Sequence, residues 1–242
     1  VSLGEHSILK TPGAYLGLAK ACSAKQNPTE ALRVLGTLNK TFDNDEVKLK
    51  ALAVEGQVHQ QSGNLELATK AAEELNQKLL DSGCRPDSET TMEVARLLLA
   101  TGDRERAVSM LQGEIKNSPE NAALLSDVKG IFADANMAEE GAKLVEIARQ
   151  EALEMMNRGA LLARDGKLEE AVEWMRNARL AMPSNIRVLF NFAHVSIAYM
   201  QQHGASENLI AEARSSLEAA NALAPGDRRF GQQMAALDKL AS

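Results

Sequence analysis

The sequence predicts an all-α chain: an array of about six stacked helical hairpins, closed by a C-terminal helix. Three observations carry that reading. Aromatic residues are only 3% of the chain while Ala and Leu are plentiful, a mix that suits helices packed through small side chains better than strands. Apolar residues recur at spacings of three and four, the period of one helix face. A small residue also returns at one place in that pattern, as Ala31, Ala68, Ala107, Gly141, Ala171 and Ala213, at intervals of roughly 30–42 residues. Five places before this anchor stand Gly63, Gly102 and Gly166 in three units, and twelve places after it Pro119, Pro183 and Pro225 in three.

Residues 1–11 have no period and read as a linker or the remnant of a preceding repeat. A chain starting at Val1 in place of Met is expected to be an excised part of a longer protein. From Pro12, the residues Tyr15, Leu18, Ala19 and Cys22 form a first stripe. Thr29 is read as the N-cap of the answering helix, which carries Ala31, Leu32, Leu35 and Leu38. In the second pair, Leu49, Leu52, Ala53, Gly56 and His59 precede Gly63, and Leu67, Ala68, Ala71, Ala72, Leu75 and Leu79 follow it. A loop then runs through Cys84 to Pro86.

The third pair has Met92, Ala95, Leu98 and Leu99, the turn Gly102-Asp103, then Ala107, Val108, Leu111 and Ile115. The fourth has Leu124, Leu125, Val128 and Phe132, a turn near Asn136, then Leu144, Val145 and Ala148. In the fifth, Gly159 allows close helix approach, Gly166 turns the chain, and Ala171, Trp174, Met175 and Ala178 form the second stripe. No proline interrupts Glu139–Arg164, which predicts a continuous or barely broken helix joining the fourth and fifth units. The sixth unit is long, with a helix through Val188, Phe192, Val195 and Tyr199 and a loop over His203–Asn208. After Pro225, the stripe Phe230, Met234, Leu237 and Leu240 marks a capping helix over 227–242, so the repeat array itself spans 12–226.

Several functions are disfavoured. A net charge of −6 and a pI near 5.4 argue against a nucleic-acid partner, whose phosphates need a basic surface. No apolar run approaches the length that spans a membrane. Cys22 and Cys84 make no disulfide framework and read as free thiols, which favours the cytoplasm. His6, His59, His194 and His203 are scattered without metal-ligand spacing, and His59 and His194 read as hydrogen-bonded core histidines. Glu73-Glu74, Glu139-Glu140 and Glu169-Glu170 suit helix starts and solvated faces. The chain is expected to be no enzyme and to need no cofactor or metal.

The recurring anchor with its preceding Gly and following Pro, together with Gly56, Gly159 and Tyr15, resembles the tetratricopeptide repeat (TPR) family over essentially the whole chain. The resemblance implies a right-handed superhelix, with a protein or peptide partner docked on the concave face formed by the first helix of each unit. Carried onto this sequence, those positions are Lys20, Gln57, Gln60, Gln61, Arg96, Asn157 and Arg164. The carboxylate clamp of some family members is incomplete here, with Leu16, Lys20, Lys50 and Val54 at its places. That departure speaks against a chaperone-tail adaptor.

More narrowly, several stretches look like the repeat region of bacterial response regulators with an N-terminal receiver. These are 14–19 and 30–35, then 136–141, 156–159 and 182–185 with Val188-Leu189. The likeness implies the cytoplasmic output or partner-docking module of a two-component phosphorelay, its phosphoacceptor lying outside this chain. Alternatives are a scaffold or assembly factor for pilus, secretion or envelope machinery, and a platform joined to a catalytic domain. The Glu139–Arg164 helix is a separate candidate for pairing with its own copy as a homodimer.

Overall fold

The computed structural model describes residues 11–82 and 86–241, and among them every regular element is helical. The order is α1 (Pro12–Ala24), α2 (Pro28–Thr41), α3 (Asp45–Gln61), α4 (Leu65–Ser82), α5 (Ser88–Thr101), α6 (Arg104–Asn117), α7 (Ala122–Asp134), α8 (Ala138–Arg164), α9 (Leu168–Ala181), α10 (Ile186–His203), α11 (Glu207–Leu223) and α12 (Arg228–Ala241). Successive helices pair as hairpins, as α1 with α2, α3 with α4 and α10 with α11. His6, Cys84 and the segment read as a linker, apart from Thr11, lie outside the described residues.

The hairpins share one turn. The residue five places before the anchor has positive φ in the first five: Gln26 (57°), Gly63 (78°), Gly102 (91°), Asn136 (59°) and Gly166 (77°). In each, the next residue's N–H donates back to the carbonyl five residues earlier. The pairs are Asn27 to Cys22 (3.0 Å), Asn64 to His59 (2.9 Å), Asp103 to Leu98 (2.8 Å), Met137 to Phe132 (2.8 Å) and Lys167 to Leu162 (3.0 Å). This is the left-handed closure that satisfies carbonyls orphaned at a helix end. The conserved feature among the repeats is therefore a backbone conformation, filled by Gly three times and by Gln and Asn once each. The anchors confirm the alignment: Ala31, Ala68, Ala107, Ala171 and Ala213 have no exposed surface, and Gly141 is buried.

The first irregular region takes the expected form, and the second does so in its helix but not in its loop. The helix expected over Glu139–Arg164 is α8, unbroken through 27 residues. In the sixth unit α10 extends to His203 and Gly204 (φ 96°) ends it. The connection there is 204–206, shorter than the expected His203–Asn208 loop, because α11 already begins at Glu207.

Three local readings are corrected. Asn27, not Thr29, caps α2: its side-chain oxygen accepts from the Glu30 N–H, and Pro28 takes the first helical position, where its missing N–H costs nothing. Leu67 is 45% exposed, since the core-facing side of α4 is set by Ala68, Ala71, Ala72 and Leu75. His194 is exposed on α10, whereas its neighbours Phe192, Ala193 and Val195 are buried. His59 is half-buried with its Nε2 3.9 Å from Glu55.

The chain divides into two compact units. Unit 1 holds the described residues up to Leu111 together with Gly130–Ala138. Its first core joins Tyr15, Ala31, Leu35, Leu38, Val54 and Val58, and the Tyr15 ring meets Phe42 edge-on at 6.0 Å. A Cβ on Gly56 would stand 2.5 Å from a Leu97 methyl and 3.3 Å from that of Ala71. The missing side chain thus lets α3 approach α4 and α5.

Unit 2 holds Gln112–Lys129 and the residues from Glu139 on. Its core gathers Met156, Met175, Met182, Phe190, Phe192 and Met200, and α12 closes it with Leu237. At Gly159 a Cβ would run into the Met175 side chain and touch Trp174, so the expected close approach is between α8 and α9. Unit 2 also contains bonds that skip whole hairpins. The Ser184 N–H donates to Asn117 Oδ1 (2.9 Å), Asn185 Nδ2 donates to the Lys116 carbonyl (3.2 Å), and Arg187 pairs with Glu120 (2.6 Å). Arg149 Nε donates to the Pro119 carbonyl and Lys116 pairs with Glu151. Simple stacking, in which each repeat meets only its neighbours, supplies the last two contacts but not those that reach residues 184–187.

Candidate partner-docking face

Within unit 1, α3 packs between α1 and α5, so the first helices of three hairpins lie side by side. Lys20, Gln57 and Arg96 each stand eleven places before their anchors, and the fold brings this register into one row. Lys20 Nζ donates to Glu93 Oε1 at 2.6 Å. Gln57 Nε2 donates to the other oxygen of the same carboxylate and to the Glu93 carbonyl (3.3 Å). One turn further along α5, Arg96 pairs with Asp134 at the end of α7. Gln61 accepts from the Ser23 hydroxyl at 2.5 Å, and Gln60 is half-buried on α3. Lys50 joins the same surface, bridging Asp87 (2.6 Å) and Glu46 (3.0 Å).

The row is a matched set of charges. Burial alone would raise the Glu93 carboxyl, but hydrogen bonds from Lys20 and Gln57 and the charges of Lys20 and Arg96 hold it below its ordinary value. Burial likewise pushes Asp87 up. It is outweighed by hydrogen bonds from Lys50, the Thr90 side chain and the Thr90 N–H, and by the Lys50 charge, which bring the group down to about 2. Both carboxylates are therefore ionised at neutral pH. Beside the row, Leu16, Phe42 and Val47 line a cleft of about 480 Å³ between α1 and α3, rimmed by Lys20 and Lys50. Gly13 and Gly17 leave one wall of it bare.

The remaining two predicted residues, Asn157 and Arg164, lie in unit 2 on the exposed side of α8. Next to Asn157, the Arg158 guanidinium stands 4.6 Å from the Trp174 ring centre, a favourable cation–π distance. Trp174 donates its indole N–H to the Met155 carbonyl at 2.9 Å.

The sequence reading missed Glu93, Asp87 and Asp134 on this surface. It weighed only paired glutamates, although Glu93 stands fourteen places before its anchor, as Asn157 does. Register was the available signal. Among the described residues no group of His, Cys, Asp and Glu is arranged to hold a metal ion, and no helix is long and apolar enough to cross a membrane. The arrangement offers directed donors, acceptors and an apolar cleft, which are means of holding a ligand.

No protein-family model and no curated protein matches the chain. Among solved structures, a human IFIT1 dimer with PPP-AAAA is 17% identical at a TM-score of 0.32, covering 96% of this chain and 65% of that one. A human IFIT1 dimer with m7Gppp-AAAA is 16% identical at 0.33, covering 97% and 66%. The C-terminal part of a TPR repeat-containing protein from Cytophaga hutchinsonii is 14% identical at 0.28, covering 90% and 99%. The chain thus spans about two thirds of the IFIT1 chains. These overlays are loose, and the repeat type rests on the shared turns and buried anchors.

Proposed function

We propose that the chain is a protein-interaction module that docks an extended peptide or a partner helix along the first helices of its hairpins. One observation carries the reading: Lys20, Gln57 and Arg96, which repeat at one register, form a single polar row centred on the half-buried Glu93. A row with alternating donors and acceptors beside an apolar cleft suits a backbone and its side chains. Gln60 and Gln61 extend that row, and Asn157 and Arg164 offer like chemistry in unit 2. The finer role is the output part of a cytoplasmic two-component response regulator, supported by the motif likeness of 14–19, 136–141 and 182–185. A full-length protein without a receiver-type domain would remove that finer role and leave the docking module standing.

The test is selection from a displayed peptide library against the immobilised chain. Enriched peptides are expected to bind in solution and to lose at least tenfold in affinity, about 1.4 kcal/mol, with Arg96→Glu or Lys20→Glu. Arg33→Glu, on the exposed side of α2, should leave binding intact. Peptides that bind all three variants equally would move the docking surface elsewhere.

A further inference from the structure

The long helix α8 carries a second surface, independent of the row on unit 1. Gly141, Val145, Ala148, Ala152, Met156 and Gly159 form its buried side. Its opposite side is open over its whole length, with Lys143, Ile147, Gln150, Glu154, Leu161 and Arg164 all exposed. Two large apolar residues stand among them, Ile147 at 55% and Leu161 at 47% exposure.

Ile147, Glu154 and Leu161 follow at seven-residue intervals, so all three lie on one helix face. A two-fold axis through Glu154 would set Ile147 of one copy against Leu161 of the other, twice, each about 10 Å from the axis at the helical rise. The charges distinguish the two ways of pairing. Toward its N-terminus the exposed face carries Glu139 and Glu146 beside Lys143; toward its C-terminus it carries Arg158 and Arg164. Antiparallel pairing about Glu154 sets Glu146 of one copy between Arg158 and Arg164 of the other, with Lys143 also near Arg164, whereas parallel pairing stacks every charge on its like. Leu161 also borders an open cleft of about 680 Å³ with Met155, Arg158 and Trp174, beside which this pairing would set the facing copy's Ile147.

We propose that α8 is a self-association surface on which a second copy of this chain docks antiparallel about Glu154. One contact opposes the pairing: the two Glu154 carboxylates meet at the axis, each already accepting from Gln150 Nε2 at 2.9 Å. Like charges in apposition weaken an interface, which gives this geometry a signature that other docking modes lack.

Sedimentation equilibrium of the full chain, from micromolar to near-millimolar concentration, tests the surface. A monomer–dimer equilibrium is expected. Ile147→Asp and Leu161→Asp should each weaken it by at least tenfold, and Glu154→Gln should strengthen it by roughly tenfold. Circular dichroism confirms that each exposed-site variant is folded. Orientation is read by oxidation in a chain carrying Cys22→Ser and Cys84→Ser. Glu154→Cys should cross-link to its own copy, and Ile147→Cys should cross-link only when mixed with Leu161→Cys. A monomer at every concentration, a dimer indifferent to Ile147→Asp, or Ile147→Cys cross-linking to itself would each overturn the proposal. A dimer weakened by Glu154→Gln would do so too.

Discussion

The two units are built from the same hairpin and filled in different ways. In unit 1 the core of α1–α3 is mostly Ala, Val and Leu around the edge-on rings of Tyr15 and Phe42, and its first helices are cross-linked by polar side chains through Glu93. In unit 2 two buried phenylalanines and several methionines fill the space between α8 and α12. There, arginines lie on the rings: Arg179 stands 4.6 Å from the Phe192 ring centre and Arg229 4.3 Å from that of Phe190. Arg179 also donates to the Glu212 carbonyl and the Ser216 hydroxyl. Small side chains let helices lie close enough for surface groups to bridge them, while large side chains shift cohesion into the interior. Unit 1 thus joins its first helices through polar side chains on a shared face, whereas in unit 2 Arg179 and Arg229 lie against buried rings.

The largest expected effect tests the interior of unit 2. Phe192→Ala removes a ring with no exposed surface and should cost about 3–5 kcal/mol, the range for a buried aromatic truncation, read as a lower urea midpoint. A loss under about 1 kcal/mol would mean that the aromatic core is not what holds unit 2 together.

Next come two glycines that share a residue type and nothing else. Gly159→Ala forces a methyl into Met175 and Trp174 and should cost about 1–3 kcal/mol as overpacking. Gly17→Ala, on the open face of α1 with nothing within 4 Å, should stabilise by up to about 1 kcal/mol through helix propensity. Equal signs for the two would break the distinction between a packed and an open helix face.

A smaller effect isolates a charge on the polar face of unit 1. The folded-state pKa of Asp87 is about 2, below the ~3.9 of an unfolded Asp. Its contribution is therefore complete above about pH 4 and is lost as pH falls through 2. Asn is also a good N-cap, so Asp87→Asn removes mainly the charge facing Lys50. With the Asp87 side chain 44% exposed, solvent screening reduces the cost to about 1 kcal/mol at pH 7. Denaturation curves of variant and wild type should converge near pH 2.

The smallest effect concerns the turns. Gln26 adopts the left-handed conformation with φ 57°, which a residue with a Cβ enters at a cost. Gln26→Gly should therefore stabilise by up to about 1 kcal/mol, and Gly63→Ala, at φ 78°, should destabilise by a similar amount. Thermal melts of both variants read the pair directly.

Much of the fold was legible because helices announce themselves locally. The anchors, the unbroken α8 and the terminal stripe of α12 each follow from spacing within one segment. The fourth and first turns were harder, since Asn136 and Gln26 do the work that Gly does elsewhere, and only backbone angles reveal the equivalence. Lys20, Gln57 and Arg96 were named from the likeness to the repeat family. That Glu93 would join Lys20 to Gln57 was not, because a glutamate that bridges helices and one that faces water look alike until a neighbouring helix arrives.

What the sequence determined by itself was the helical period, the hairpin unit, the close approaches at Gly56 and Gly159, and the absence of a break between Glu139 and Arg164. These depend on side-chain size and backbone freedom over a few residues. Tertiary structure alone decided that Glu93 would collect Lys20 from 73 residues away, and that Asn117 would meet Ser184 across 67. Hydrogen bonds and ion pairs act over a few ångströms. Which groups come within that reach is settled by packing, which a single segment does not contain.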